Sequence, residues 1–271
     1  MSATESLQQR YGPWAVVAGA SEGTGRAFAL QLAAAQIPCV LIARRQGPLT
    51  ALADEIRAAT GVVCVTATVD LSAVDACEKI ATAVGSREVG LFVCNAGADP
   101  HGAHFLDGDI DQWINLLNIN AVTMMRCCHH FAGPMRKRRR GGLLLVGSGA
   151  CYGGGSFMAA YSACKAFELC FAESLWSELR PHGVDVLYMA LGTTDTPALR
   201  ALLDSKGMPP PAGLASPEAV AVTGLEQLSC GPLYNWGFSE DEAGFAPTSP
   251  SARRARILAV DEASRRIFGD A

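Results

Sequence analysis

The stretch from Trp14 to Ala35 restricts the fold more than any other. Trp14-Ala15-Val16-Val17-Ala18 is an unbroken apolar run of strand length, and it leads straight into Gly19-Ala20-Ser21-Glu22-Gly23-Thr24-Gly25. Beyond the glycines, Phe28, Leu32 and Ala35 recur on one helical stripe. Strand, tight turn and helix in that order aim backbone N–H groups and a helix N-terminus at one spot, which suits a pyrophosphate. The spacing is Gly-x-x-x-Gly-x-Gly, not Gly-x-Gly-x-x-Gly, so the glycines alone also fit a plain tight turn. A plain turn, however, has no need of the apolar strand and the basic pair Arg44-Arg45 that follow about twenty residues later.

Further runs of the same kind read as strands near Cys39 to Ala43, Val62 to Thr68, Val89 to Cys94, Leu143 to Val146 and Val184 to Met189. Helical patterns lie between them, the longest from about Ile110 to Lys137 and the next from about Met158 to Pro181. Alternation of this kind predicts an α/β fold, a doubly wound parallel sheet with helices on both faces. Residues 1–271 read as one Rossmann-type domain, with neither an internal repeat nor a Ser- or Gly-rich linker. From about Thr193 the pattern loosens, and Met208-Pro209-Pro210-Pro211 and the segment 245–250 read as loops. The first belongs to a candidate substrate-loop region at about 193–216. A C-terminal extension at about 238–271 places Ile257, Val260 and Ile267 among charges at near-helical spacing, ready to dock on the domain or on a second subunit.

Composition narrows the classes of function. At 271 residues with 49% hydrophobic content the chain can bury a sizeable core. A net charge of −4 gives no electrostatic footprint for nucleic acid. Met1 to Arg10 is polar, unlike a signal peptide, and no apolar run reaches membrane-spanning length, so a cytoplasmic protein is expected. None of the ten cysteines forms Cys-x-x-Cys, and they read as reduced, mostly buried thiols. The histidine pairs His129-His130 and His101, His104 lack a third ligand at metal spacing, so no metal is expected. The basic run Arg136 to Arg140 resembles a nuclear-import signal, but it ends a helix, where cations complement the dipole.

Chemistry is suggested by Tyr161-Ser162-Ala163-Cys164-Lys165, with Ser148 thirteen residues upstream of Tyr161 and just past an apolar strand. Residues at i and i+4 share a helix face, so the Lys165 ammonium can sit beside the Tyr161 phenol and favour its ionised form. Such a tyrosine transfers protons near neutral pH. Together with Gly19, Gly23 and Gly25, the segment Asn95-Ala96-Gly97 and Asn120, these residues resemble the short-chain dehydrogenase/reductase family over roughly residues 12 to 200. The opening Tyr11-Gly12-Pro13-Trp14 is most similar to the branch of hydroxysteroid and 3-ketoacyl reductases.

The resemblance implies catalytic Asn120, Ser148, Tyr161 and Lys165. Ser148 would hydrogen-bond the substrate carbonyl oxygen and Tyr161 would protonate it. Lys165 would hold the cofactor ribose, and Asn120 would hold a water linking Lys165 to solvent. It also implies a cofactor site of Gly19, Ser21, Gly23, Thr24, Gly25, Asp70, Leu71, Asn95, Ala96, Gly97, Tyr161, Lys165, Gly192, Thr194 and Thr196. Ala43, followed by Arg44 and Arg45, stands where an NAD site usually offers a carboxylate to the ribose, so NADP(H) is the expected cofactor. The chain departs from the family at Thr24, Cys94 and Leu191, where isoleucine, asparagine and proline are usual, and it lacks the usual C-terminal strand end. A homodimer or homotetramer is implied.

Ala150, Cys151, Tyr152, Gly153, Phe157, Leu199, Leu202 and Leu203 stand in the stretches that set substrate choice in this family, and they are small or apolar. That favours a bulky, uncharged ketone or secondary alcohol, steroid-like or aryl-alkyl. A 3-oxoacyl thioester is the alternative substrate. A non-catalytic NADP-binding scaffold is the alternative of another class.

Overall fold

The structure is a computed structural model. It describes residues 6–97, 99 and 102–236, together with Arg254, Leu258, Ala259, Glu262 and Arg265. Apart from those five, the expected C-terminal extension lies outside the described residues, as do the 245–250 loop, Ile257, Val260, Ile267 and His101.

Seven parallel strands form one sheet: β1 Trp14–Ala18, β2 Cys39–Ala43, β3 Val65–Thr68, β4 Val89–Cys94, β5 Gly141–Val146, β6 Val184–Ala190 and β7 Leu233–Asn235. Their spatial order is β3-β2-β1-β4-β5-β6-β7, so the order reverses between β1 and β4. Ligands of open α/β sheets bind at such a reversal, beyond the C-terminal strand ends.

Both sheet faces are covered. Ala15 and Val17 of β1 point to a core shared with Phe28 and Leu32 of α2 (Gly23–Ala34), Leu52 and Ile56 of α3 (Gln46–Thr60) and Val220 of a later helix. Val16 and Ala18 point the other way, toward Ile80 of α4 (Ala76–Val84), Phe131 of α6 (Met124–Arg138) and Ala172 of α7 (Ala159–Leu179). With both faces buried, the strands need apolar residues at every position, which is why they read as continuous runs. A short α1 (Leu7–Tyr11) precedes them. Its Arg10 and Tyr11 side chains donate to Asp185 of β6 and tie the N-terminus under the sheet.

The structure amends the expected boundaries. The third strand starts at Val65, because Val40 of β2 pairs with Val65 and Val63 is 61% exposed. The long helix is interrupted: α5 (Ile110–Leu117) passes through a π-helical turn at Asn118–Thr123 into α6. The region expected to loosen after Thr193 contains α8 (Pro197–Ser205), α9 (Pro217–Gln227) and β7, although 208–213 is loop as expected. Each new helix begins at a hydroxyl cap followed by proline. Thr196 accepts from Leu199 N and Ser216 from Ala219 N, with Pro197 and Pro217 at the first turn.

The basic run is more than a solvated helix end. Arg138 donates to Val89 O, Arg139 to Pro181 O at 2.9 Å, and Arg140 to Gln9 O at 3.1 Å and Glu88 at 3.1 Å. These side chains fasten the end of α6 to its neighbours at the N-terminal edge of the sheet.

Candidate active site

The glycine turn leaves β1 at the reversal point and opens α2. Gly19 has φ +87°, and a Cβ there would come within 2.8 Å of Ala96 N. A Cβ on Gly25 would strike Gly19 O and approach Asn95 Nδ2 to 2.7 Å. Only glycine lets these backbones pass so closely. Asn95 and Ala96 both donate their backbone N–H to Ala18 O, and Asn95 Nδ2 donates to Gly19 O at 3.1 Å. The ends of β1 and β4 are thereby joined into one cradle. Ser21 sits half-buried in the turn, Thr24 is buried in the first turn of α2, and Gly23 (φ +55°) packs on the Thr196 methyl.

At the end of β2, Arg44 is exposed and makes no hydrogen bond or ion pair among the described residues. Arg45 is paired with Glu22 at 2.6 Å, both side chains being well exposed. Asp70 accepts from Ser72 N and Ser72 Oγ; that backbone bond, aided by Arg44 and Lys79, holds its carboxyl below the usual range. Leu71 is buried and its carbonyl accepts from Thr123. On the other side of the cradle, Thr194 pairs in parallel with Ala215 while Gly192 is exposed. The Thr196 hydroxyl is engaged as the cap of α8.

The proton-transfer residues sit on the neighbouring strand and helices. Ser148 lies two residues past the end of β5, where its Oγ accepts from Ala150 N at 3.2 Å and keeps its own proton to donate. Tyr161 is half-buried in the first turn of α7, with Lys165 Nζ 5.5 Å from its ring centroid. Asn120 lies inside the π turn, 1% exposed, donating to Leu116 O at 2.9 Å; its Oδ1 is buried without a hydrogen-bond partner among the described residues. Gly97 brings these groups together: a Cβ there would crowd Asn120 Oδ1 and stand 2.9 Å from Lys165 Nζ. An orphaned carbonyl beside a buried ammonium suits a bound water or a ligand hydroxyl.

Two residues absent from the expected set belong to this site. Tyr188 of β6 is fully buried, and its hydroxyl accepts from Ser148 N at 3.1 Å and lies 3.3 Å from Ser148 O and 3.4 Å from Lys165 O. Burial, reinforced by Glu168, pushes its pKa upward, so it stays a phenol. A Cβ on Gly147 would overlap the Tyr188 ring, which explains the glycine before Ser148. The other residue is Glu168, whose carboxylate is bonded to Lys165 Nζ at 2.8 Å. Lys165-x-x-Glu168 is the i,i+3 spacing of a helical ion pair, a signal visible in the sequence.

All ten cysteines are free thiols. Burial pushes Cys94 up to about 12, so the thiol replacing the family's usual asparagine is an inert neighbour of the cradle. Among the described residues no helix is long and apolar enough to cross a membrane, and no cluster of three or more potential ligands is placed to hold a metal.

Residues 13–207 match the short chain dehydrogenase family. The 7beta-hydroxysteroid dehydrogenase of Collinsella aerofaciens is 32% identical over 194 residues, covering 72% of this chain and 73% of that protein. The very-long-chain 3-oxoacyl-CoA reductase of Laccaria bicolor is 35% identical over 181 residues, covering 66% of this chain and 54% of that protein. A solved structure from work on 7beta-hydroxysteroid dehydrogenase stereoselectivity matches with a TM-score of 0.81 at 26% identity, covering 98% of this chain and 100% of the other. The chain therefore belongs to the short chain dehydrogenase family, as an oxidoreductase of CH–OH groups built on a nicotinamide-binding Rossmann-type sheet.

Proposed function

We propose that the chain interconverts a bulky hydrophobic ketone, steroid-like or aryl-alkyl, and its secondary alcohol, with NADP(H). The observation that carries this reading is the meeting of the Asn95–Gly97 edge of the cradle with Lys165 and Asn120 at Gly97. The Gly19–Gly25 turn and the Asn95–Gly97 edge would hold a reduced nicotinamide cofactor, which would supply the hydride. As the carbonyl oxygen gains negative charge, Ser148 meets it with the proton left free by its bond from Ala150 N, and Tyr161 transfers its own proton to it. Lys165 places a positive charge beside the phenol, and Asn120 Oδ1 offers a seat for a water through which the proton is replaced.

The preference for NADP(H) rests on Arg44. Arg45 already has a partner in Glu22, though an exposed pair of this kind is worth no more than about 1 kcal/mol and exchanges easily. One charge-assisted bond from Arg44 to a 2′-phosphate, at about 1.5–3 kcal/mol, favours NADP over NAD by about ten- to a hundredfold. The substrate class is supported by the apolar Cys151, Tyr152 and Phe157 past Ser148, with the His104 ring tilted by 30° against Phe157 at a centroid distance of 4.0 Å. Similarity to the Collinsella aerofaciens enzyme agrees with it. Similarity to the Laccaria bicolor reductase favours a second reading, a 3-oxoacyl thioester in place of the steroid-like ketone. Self-association belongs to the same proposal: Ile110 and Ile114 of α5 and Phe167 of the neighbouring α7 are exposed apolar side chains.

The test is loss of nicotinamide absorbance with NADPH and, separately, NADH, against bulky ketones and one 3-oxoacyl thioester. NADPH-dependent reduction of a bulky ketone that vanishes in Tyr161→Phe is the expected result. Reduction of the thioester alone would establish the second reading. Tight NADPH binding without turnover across a broad panel would make the chain a binding scaffold.

A further inference from the structure

Glu168 stands three residues beyond Lys165 on α7, and the two residues are 4% and 2% exposed. Lys165 Nζ donates to both carboxylate oxygens, at 2.8 Å and 3.1 Å. A buried glutamate is rarely tolerated unless it is paired, and a buried ammonium is just as costly alone. The packing around the pair is apolar or weakly polar. Tyr161 and Cys164 approach it from α7, Cys94 from β4, Cys128 from α6 and Tyr188 from β6, with Asp99 in the loop after β4 facing Cys164. Asn120 Oδ1, reached across Gly97, is the nearby polar group that can seat a single water, and one water is little hydration for a lone charge.

We propose that Glu168 is a positioning residue whose carboxylate holds Lys165 as a buried ammonium ion beside Tyr161, in a site too dry to keep that charge unaided. The effects on Lys165 are consistent with this. Burial pulls the lysine's pKa down, Glu168 and then Tyr161 push it back, and the balance lies above the ordinary value. Burial pushes the glutamate up and Lys165 opposes it. The importance of the charge for turnover rests on the function proposed above; the protonation of Lys165 does not.

The chain has four lysines, Lys79, Lys137, Lys165 and Lys206, so protein labelled with 13C at lysine Cε gives four signals, and Lys165→Arg identifies the one of interest. The titration is run on the full chain without cofactor or substrate. In the wild type the Lys165 signal keeps its ammonium shift beyond the ordinary lysine midpoint of about 10.4. Glu168→Gln preserves the shape and removes the charge, and the midpoint falls by at least about one unit. Glu168→Asp retains the charge and the midpoint stays near the wild-type value. An unchanged midpoint in Glu168→Gln overturns the proposal. An equal fall in Glu168→Asp also overturns it, since the effect would then be one of packing. With NADPH and a reducible ketone, the alkaline limb of the rate profile moves to lower pH in Glu168→Gln and not in Glu168→Asp. If the midpoint falls in Glu168→Gln alone while neither variant nor wild type reduces any ketone, the role of Glu168 stands and the proposed reaction fails.

Discussion

Removing a single hydroxyl by Tyr188→Phe should damage both stability and turnover. The Tyr188 oxygen accepts from Ser148 N at 3.1 Å, and its one proton serves Ser148 O at 3.3 Å or Lys165 O at 3.4 Å. The change therefore deletes one accepted and one donated bond, each worth about 0.5–1.5 kcal/mol net, and leaves Ser148 N–H without that partner at a further ~1–3 kcal/mol. Relief of the buried hydroxyl's own desolvation offsets part of this loss. We expect a net destabilisation of about 2 kcal/mol, which at about 2–4 °C per kcal/mol lowers Tm by about 4–8 °C. The same hydroxyl joins the backbone of Ser148 to that of Lys165, so its loss lets β5 and α7 drift apart. Small misplacement of catalytic groups is expensive, and kcat should fall at least about tenfold with little change in KM for NADPH. Calorimetry and steady-state kinetics measure the two effects. Tyr234→Phe is the control, since that hydroxyl makes no hydrogen bond among the described residues and its removal should stay within about 0.5 kcal/mol. If Tyr188→Phe matches Tyr234→Phe in both Tm and kcat, the hydroxyl is not the link described.

Arg44→Asp should reverse the coenzyme preference, raising KM for NADPH about ten- to a hundredfold while NADH improves; unchanged NADPH kinetics would discard the 2′-phosphate role. Gly97→Ala places a Cβ against Asn120 Oδ1 and Lys165 Nζ at φ +155°, and should cost about 1–3 kcal/mol and most of the activity, both read by melting and assay. The neighbouring Cys39 thiol draws Cys64 down to about 7 and is itself pushed up. The thiolate forms as pH rises through that value, so mapped alkylation of Cys64 should increase across pH 7 and level off above it. Cys39→Ala should move the inflection upward, and a wild-type inflection near the free-thiol value of about 8.5 would refute the pairing.

What could be read from the chain was what depends on near neighbours in sequence. The strand run ahead of Gly19, the spacing of Gly19, Gly23 and Gly25, and the four-residue step from Tyr161 to Lys165 are all local signals, and the parallel sheet follows from their alternation. Tyr188 was hidden inside an apolar run because its role arises only when Leu145 of β5 pairs with it across forty-three residues of chain. Glu168 does not stand out in the sequence, because a helical carboxylate near a lysine is normally a solvated surface pair and only the packing of α7 buries it. The caps at Thr196 and Ser216 are legible, yet the proline-rich stretch between them carries the stronger local signal, which is loop. The π turn has no residue signature, since it arises from a slip in backbone bonding.

That slip also restricts how the chain can change over time. One residue advances an α-helix by about 100°. Deleting any residue of 118–123 would restore regular helix, but it would also swing Trp113 and Leu116 or else Cys127 and Phe131 away from the cores they fill. The irregularity is therefore held by the packing on either side of it. Descendants of this chain can substitute residues within the turn, but they cannot shorten it without rebuilding one of its two flanks.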